Sequence, residues 1–179
     1  MTAVVAWMTG RSGAGKSTIA GRASARLQAS GRRVTILDGD AVRARLHRHL
    51  GFSPQDIREN NRLIAQECLE ALPTADAVLV PVISPFRDAR ASVRAVLGAS
   101  MLEVYVRASL EEVTRRDTKG LYRRAAEGSL PGLIGVDPAV PYEAPEAPDI
   151  LLDTEADPIE ACVDALVAAI EQRRATLNP

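Results

Sequence analysis

A short glycine-rich segment near the start of the chain carries residue types that bind phosphate groups. Residues 10–17 read Gly-Arg-Ser-Gly-Ala-Gly-Lys-Ser, which matches the pattern G-x-x-x-x-G-K-[ST] without a mismatch. Glycines let the backbone turn sharply and approach a ligand closely. Successive N–H groups at the start of a helix attract anions. The sequence therefore predicts a phosphate-binding loop at residues 10–17.

The two residues that end this loop predict what it binds. The ammonium group of Lys16 is placed to reach the β- and γ-phosphates of a nucleotide, and the Ser17 hydroxyl is placed to ligate Mg²⁺. A turn that merely joins a strand to a helix has no need of Lys-Ser at this spacing. The residues predicted to hold the nucleotide here are Gly10, Ser12, Gly13, Ala14, Gly15, Lys16, Ser17 and Thr18.

The elements around the loop supply the context that such a site needs. An apolar run over residues 3–8 predicts a buried strand before the loop. Ile19, Ala23 and Leu27 recur at intervals of four and predict a helix after it, which ends near Ser30-Gly31. Further strand-like apolar runs cover residues 34–37, 77–83, 101–106 and 150–152.

The order of these elements predicts the fold class. Helix starts are expected at Ser53-Pro54, at Ser109 in a capping box with Glu112, and at Asp157-Pro158. Strands that alternate with helices predict an α/β fold with a mostly parallel sheet covered on both faces. We expect a single domain over residues 1–179, a five-stranded, three-layer sandwich of the P-loop NTPase kind. Residues 117–148 have no clean periodicity and are interpreted as a lid insertion.

Two carboxylates, Asp38 and Asp40, follow the second predicted strand. Ligands in parallel sheets bind beyond the carboxyl ends of the strands, so both should lie beside the phosphate-binding loop. There they suit Mg²⁺ binding and the activation of an acceptor hydroxyl, and Asp40 could also cap a helix. In the lid, Arg116 and Lys119 are interpreted as a cationic clamp on phosphates, and Arg124 as a solvated surface residue.

Bulk properties narrow the class of protein. Hydrophobic residues make up 46% of the 179 positions, charged residues 25%, and the net charge is −1. No generic nucleic-acid surface is indicated, no apolar run reaches the roughly 18 residues of a membrane span, and the early first strand leaves no room for a signal peptide. Cys68 and Cys162 are interpreted as buried free thiols, and His47 and His49 as surface or cleft residues. We expect a cytoplasmic protein without nucleic-acid or membrane partners.

Longer segments between Trp7 and Asp153 resemble the adenylyl-sulfate kinases, which phosphorylate the 3′-hydroxyl of adenosine 5′-phosphosulfate. The phosphate-binding loop alone would fit many kinases, but the combination of segments is far narrower. The matching segments are Trp-Met-Thr-Gly at 7–10, Leu-Asp-Gly-Asp at 37–40, Leu-Gly-Phe-Ser at 50–53, Ile-Ser-Pro-Phe-Arg at 83–87, Lys-Gly-Leu-Tyr at 119–122 and Pro-Tyr-Glu-Ala-Pro at 141–145.

The resemblance implies an ATP-dependent kinase of sulfate activation, acting as a homodimer on a small nucleotide substrate. It implies that Lys16, Asp40 and Lys119 are catalytic, that Ser17 and Asp40 hold Mg²⁺, and that Arg116 lies against the ATP adenine. Lys119 would bridge phosphates as the lid closes. The substrate-binding residues that it implies are Asp40, Arg43, Phe52, Asn60, Ile83, Ser84, Lys119 and Leu133.

Two departures from the family pattern remove contacts to the acceptor. Ile57 stands where the family has an anion-binding Arg, and Leu133 where it has a Phe that stacks on the substrate base. Arg58 is adjacent, but one residue along a helix is about 100° around it. One alternative is therefore a paralogue that phosphorylates another nucleotide or nucleotide-linked metabolite. A second is a nucleotide-dependent switch with little turnover, although the sequence has no Asn-Lys-x-Asp base-reading motif.

The phosphate-binding loop leads to a direct prediction. Lys16→Ala should abolish ADP production, because the loop loses the cation that contacts the β- and γ-phosphates. Steady-state ADP release measures this, with Arg124→Ala as a control that should keep full turnover. If the Lys16→Ala protein kept its turnover, the phosphate-binding loop would have no role in the mechanism.

Overall fold

The computed structural model describes residues 3–45 and 47–178 and contains a five-stranded parallel sheet. The strand order is β2-β3-β1-β4-β5, and each neighbouring pair runs in the same direction. The strands are β1 (Val4–Thr9), β2 (Val34–Ile36), β3 (Ala77–Pro81), β4 (Met101–Arg107) and β5 (Ile150–Asp153). The helices are α1 (Lys16–Ala29), α2 (Gly39–Arg45), α3 (Pro54–Ala71), α4 (Arg87–Leu97), α5 (Leu110–Arg116), α6 (Leu121–Ala126) and α7 (Ile159–Leu177).

The central strand β1 is buried on both of its faces. Val4, Ala6 and Met8 pack towards α1 and α7, whereas Val5 and Trp7 pack towards α3 and α4. Side chains alternate between the faces of a strand, so a strand covered by helices on both sides has no polar face. This arrangement explains why the run is apolar throughout, and it confirms the predicted three-layer α/β sandwich.

One helical layer is formed by α1 and α7, which pack against each other and the sheet. The predicted apolar stripe of α1 is buried, and the stripe of α7 meets it in the same core cluster. That stripe comprises Cys162, Val163, Leu166 and Ile170. The helix α1 ends at Ala29, with Ser30 as its C-cap and Gly31 after it, as the sequence predicts.

The helix starts are confirmed in two cases and corrected in a third. The hydroxyls of Ser53 and Ser109 accept hydrogen bonds from the N–H groups of Asp56 and Glu112, each at 3.1 Å. Only half of the expected capping box forms at α5, because the Glu112 carboxylate pairs with Arg115 and Arg116 instead. The last helix has no side-chain cap, and Pro158 precedes its first residue.

The lid (residues 117–148) is more regular than its sequence suggests. It contains the helix α6, which the lack of a clean periodicity did not predict. Residues 132–140 form a closed turn, here called the lid turn. The Asp137 carboxylate accepts from Gly132 N at 3.1 Å and Ala139 N at 2.8 Å, and Gly135 N donates to Val140 O at 2.8 Å. These local polar contacts leave no periodic signal in the sequence.

Both cysteines are buried and free, as predicted. Burial raises the pKa of the Cys68 thiol to about 12, so this group stays protonated and inert. Across residues 3–45 and 47–178, no helix combines the length and apolar character needed to cross a bilayer.

The contact between α1 and α7 generates a stability prediction. Leu166 is fully buried and Leu151 is 48% exposed, so the same truncation can be compared at two sites. Leu166→Ala should lower the free energy of unfolding by about 2–5 kcal/mol, because it leaves a cavity in the core. Leu151→Ala should cost less than about 1 kcal/mol. Urea unfolding curves measure both, and equal losses would contradict this description of the core.

Candidate active site

A cavity of about 460 Å³ lies at the edge of the sheet where the parallel strands end. The phosphate-binding loop follows β1 there, and residues 82–85 follow β3. Most of the residues predicted to act in the site line this one cavity. They are Ser12, Gly13, Gly15, Lys16, Ser17, Thr18, Asp40, Arg43, Phe52, Asn60, Ile83, Ser84, Lys119 and Leu133, whereas Gly10, Ala14 and Arg116 lie outside its lining.

The phosphate-binding loop enters α1 through a left-handed backbone at Gly15. This residue is the N-cap of α1 and has φ +99°, a conformation that glycine adopts without strain. Lys16 is then the first residue of the helix. The N-terminus of α1 therefore lies at the cavity, where the positive end of the helix dipole and the free N–H groups of the first turn favour anion binding.

The Lys16 ammonium is buried against the backbone of its own loop. Nζ donates to Gly10 O and to Arg11 O, both at 2.8 Å, and only 8% of the residue is exposed. Burial lowers the pKa of Lys16 to about 8, an effect that the nearby Asp40 and Asp38 charges partly offset. An anion entering the cavity would meet this cation and favour its protonated form.

Two further side chains hold the outer side of the loop, and neither was predicted to act in the site. The Tyr122 hydroxyl donates to Ser12 O at 2.8 Å, and Thr154 Oγ1 donates to Ala14 O at 2.9 Å. These hydroxyl groups hold the two carbonyls on the outer side of the loop. The inner side of the loop is therefore free to present N–H groups to a ligand. Thr154 directly follows β5, so the rule that sites lie at the carboxyl ends of strands could have found it.

The two carboxylates after β2 have different partners. Asp38 accepts a hydrogen bond from the Ser17 hydroxyl at 2.8 Å and from Asp40 N at 3.0 Å. Asp38, rather than Asp40, therefore caps the start of α2. Asp40 is left to reach across the cavity to Lys119 Nζ, at 2.7 Å, and this contact raises the pKa of Lys119.

Arg43 and Phe52 form one wall of the acceptor half of the cavity. The Arg43 guanidinium lies 4.6 Å from the centre of the Phe52 ring, and it donates to Leu50 O and to Gly51 O. Burial lowers the pKa of Arg43. Phe52 is 60% exposed, so its ring offers an apolar surface at the rim of the cavity on which a base could stack.

His47 corrects the interpretation of the histidines as surface or cleft residues. It is buried behind the cavity, where Nδ1 lies 2.9 Å from Asn60 Oδ1, and only His49 is exposed. With Nδ1 protonated, His47 occupies the amide oxygen of Asn60 and leaves the amide NH₂ for other acceptors. No spacing pattern signals this contact, because Asn60 lies on α3 and His47 precedes that helix.

Ser84 lies in the cleft with a backbone conformation that is unusual for a residue with a side chain. Its φ is +44°, in the left-handed region. Three side chains hold it there: Thr9 Oγ1 and Arg90 Nη1 donate to Ser84 O at 3.1 and 2.8 Å, and Asn61 Nδ2 donates to its hydroxyl at 2.8 Å. Strained residues that are held by several contacts cluster at functional sites.

Arg90 connects this part of the cleft with the end of the lid. It is 97% buried, at 3% exposure, and its Nε pairs with Glu103 at 2.9 Å. Its Nη2 donates to Glu143 O at 2.8 Å, while Glu143 N donates to Pro85 O at 2.9 Å. No sequence pattern indicates the role of Arg90, because one arginine in an amphipathic helix resembles a solvated residue.

Ile57 and Leu133, the two departures from the family pattern, both line the cavity. Ile57 is 3% exposed and packs with Phe86, Ile134 and Val140. Arg58 does not replace the missing guanidinium, because it covers the Phe86 ring at 4.2 Å and pairs with Asp88 at 2.9 Å. The acceptor half therefore has an apolar contact between α3 and the lid turn at this point.

Arg116 is held beside the phosphate-binding loop. It pairs with Glu112 at 2.7 Å and donates to the backbone oxygen of Thr154 at 2.7 Å. Together with Arg115 it holds the pKa of Glu112 at about 2. Within the described residues, no three His, Cys, Asp or Glu side chains are grouped as metal ligands.

The parallel sheet, the phosphate-binding loop and the lysine at its end define the class of P-loop NTPases. The particular family follows from comparison with known proteins. A sequence profile described as Adenylylsulphate kinase matches residues 2–153. A probable adenylyl-sulfate kinase of Bacillus subtilis is 41% identical over 170 residues, which cover 94% of this chain and 85% of the relative. The chain belongs to the adenylylsulphate kinase family.

Two further similarities agree with this membership. An adenylyl-sulfate kinase of Bacillus licheniformis is 42% identical over 170 residues, with 94% of this chain and 85% of the relative covered. The structure of the Mycobacterium tuberculosis APS kinase CysC in complex with AMPPNP and APS matches with a TM-score of 0.90 at 34% identity. That match covers 95% of this chain and 98% of the other.

The buried ammonium of Lys16 generates a prediction on pH. Its pKa is lowered to about 8 in the free protein, and phosphates bind the protonated form. Affinity for a non-hydrolysable ATP analogue should therefore be level near pH 7 and fall by up to about tenfold per unit above about pH 8. The phosphates titrate near pH 6, outside this window.

Calorimetric titrations between about pH 7 and about pH 9.5 check this dependence. Lys16→Met should bind the analogue weakly, with no break near pH 8. A level profile in the unsubstituted protein across this range would contradict the assignment to Lys16.

Proposed function

We propose that the protein transfers the γ-phosphoryl group of ATP to the 3′-hydroxyl of adenosine 5′-phosphosulfate. The carrying observation is that the phosphate-binding loop, Asp40 with Lys119, and an aromatic acceptor wall at Phe52 share one cavity. Family membership supports the same reaction. The product would be 3′-phosphoadenosine 5′-phosphosulfate, together with ADP.

On the donor side, the loop N–H groups and Lys16 would bind the β- and γ-phosphates. Ser17 and the carboxylates of Asp38 and Asp40 fit Mg²⁺, which binds to oxygen ligands and usually needs only one or two carboxylates besides the phosphates. When bound, Mg²⁺ would neutralise charge on the transferred phosphoryl group. The Ser17–Asp38 hydrogen bond of 2.8 Å supports this assignment, because it places two oxygen ligands next to each other.

At the reacting centre, Asp40 would orient the 3′-hydroxyl and accept its proton. The hydroxyl oxygen bonds to the γ-phosphorus while the bond from that phosphorus to the β-phosphate oxygen breaks. Lys119, which pairs with Asp40 at 2.7 Å in the structure, would exchange this partner for phosphate oxygens. This exchange frees the carboxylate and adds a cation where negative charge develops.

On the acceptor side, Phe52 and Leu133 would enclose the adenine, and Arg43 and Asn60 would bind the phosphosulfate. Phe52 is exposed at the cavity rim and Leu133 lines the opposite lid wall. Ile83 and Ser84 would line the remaining cleft. Arg116 lies close to the phosphate-binding loop, which supports its predicted position against the ATP adenine. A homodimer and a cytoplasmic location stay predictions that the resemblance implies.

A second candidate function follows from the apolar contact at Ile57. This side chain lies in the cavity and packs on Ile134, so it supplies no charge for an anionic group. A related nucleotide or nucleotide-linked metabolite with less negative charge than a phosphosulfate would suit such a site. The same donor chemistry would then serve a different acceptor.

An acceptor panel separates the two functions. Adenosine 5′-phosphosulfate should strongly stimulate steady-state ADP release from ATP, because only a bound acceptor hydroxyl completes the reacting centre. Adenosine 5′-phosphate is the matched control, since it lacks only the sulfate. The rate of ADP release by the Lys16→Ala protein serves as the background and is subtracted from each rate.

The outcomes of the panel differ clearly. Stimulation by a different nucleotide, without any by adenosine 5′-phosphosulfate, would replace the proposed acceptor. Slow hydrolysis that no acceptor stimulates would instead favour the nucleotide-dependent switch.

A further inference from the structure

Arg11 is the second residue of the phosphate-binding loop, but its side chain leaves the loop. The phosphate site uses only backbone groups at this position, and Arg11 is not one of the described residues that line the cavity. Its guanidinium is half-buried against the lid. The proposed mechanism therefore gives this charged group no role.

Two contacts join Arg11 to the lid. Its Nη1 donates to Gly135 O at 2.7 Å, a hydrogen bond from a charged donor. Its Cζ lies 5.2 Å from the centre of the Tyr142 ring, within the range of a cation–π interaction. Tyr142 is itself fixed, because its hydroxyl lies 3.0 Å from Thr9 Oγ1 at the end of β1.

The backbone of the lid turn is fitted closely to this guanidinium. Gly135 has φ +80°, and a Cβ atom there would lie 2.5 Å from Arg11 Nη1. The backbone conformation favours glycine, and a larger residue at this position would displace the Arg11 guanidinium. The neighbouring hydrogen bonds of Asp137 close the turn, so a displacement at Gly135 would be passed on to the rest of the turn.

The lid turn contributes a second wall of the acceptor half of the cavity. Residues 130–134 line the cavity, and Leu133 and Ile134 lie directly before Gly135. The phosphate-binding loop carries the donor site. The Arg11–Gly135 hydrogen bond therefore connects the part of the molecule that holds ATP to the part that covers the acceptor.

We propose that Arg11 is a positioning residue that holds the lid turn against the phosphate-binding loop and so places the acceptor relative to ATP. It touches neither substrate. The identity of the acceptor rests on the proposed function, whereas the connection between loop and lid turn does not.

The kinetic test uses Arg11→Met, which keeps the apolar stem and removes the donor. The acceptor KM should rise by about tenfold or more, the effect of losing a charged hydrogen bond, while the KM for ATP stays within about twofold. Arg11→Lys should recover most of the loss, because its ammonium can still donate to Gly135 O. Arg22→Met is the control, since Arg22 lies on α1, is not among the described residues that line the cavity, and forms an exposed ion pair with Glu160.

A second measurement does not depend on the acceptor. Hydrogen–deuterium exchange should be faster at residues 132–140 in Arg11→Met, while a non-hydrolysable ATP analogue still protects residues 10–18. Unchanged exchange in the lid turn, or an equal rise of both KM values, would overturn the proposal. If adenosine 5′-phosphosulfate fails to stimulate the unsubstituted protein, the proposed function fails, and the exchange result still decides the role of Arg11.

Discussion

The site depends on how the carbonyl oxygens of the phosphate-binding loop are satisfied. A loop that turns its N–H groups towards a ligand must direct its carbonyls elsewhere, and a buried carbonyl without a donor costs free energy. Here one donor is Lys16 at the start of α1, and the others come from distant parts of the chain: Tyr122 from α6 and Thr154 from the end of β5. The loop therefore keeps its shape only when the sheet, α1 and the lid are all in place.

Charged side chains in the cavity pair with other groups of the protein. Asp38 accepts from Ser17, Asp40 pairs with Lys119, and the Lys16 ammonium rests on loop carbonyls. In the proposed reaction, ATP, Mg²⁺ and the acceptor would take the place of these partners. The exposed Asp40–Lys119 pair contributes little to stability, so exchanging it for phosphate contacts costs little.

The sequence predicted the elements whose signals are local. The glycine pattern, the apolar strands and the Ser53 cap each depend on neighbouring residues, and each is confirmed. The sheet edge was predictable too, because parallel strands bring their carboxyl ends together. The contacts of Arg11, His47 and Arg90 were not, since each joins segments far apart in the chain. The order in residues 132–140 also escaped prediction, because the Asp137 carboxylate and a few local backbone hydrogen bonds create it without any periodic pattern.

The buried Arg90 has a consequence for how the lid can open. Its guanidinium joins Ser84, Glu103 on β4 and Glu143 at the end of the lid, and Arg87 N also donates to the Glu143 carboxylate at 2.8 Å. This end of the lid is thus part of the rigid body of the sheet. Near the other end of the lid, Lys119 forms an exposed ion pair with Asp40, while Tyr122 and the lid turn are bound to the phosphate-binding loop. Opening of the lid about the Glu143 end would therefore have to break the contacts of Tyr122 and Arg11 as well as this ion pair.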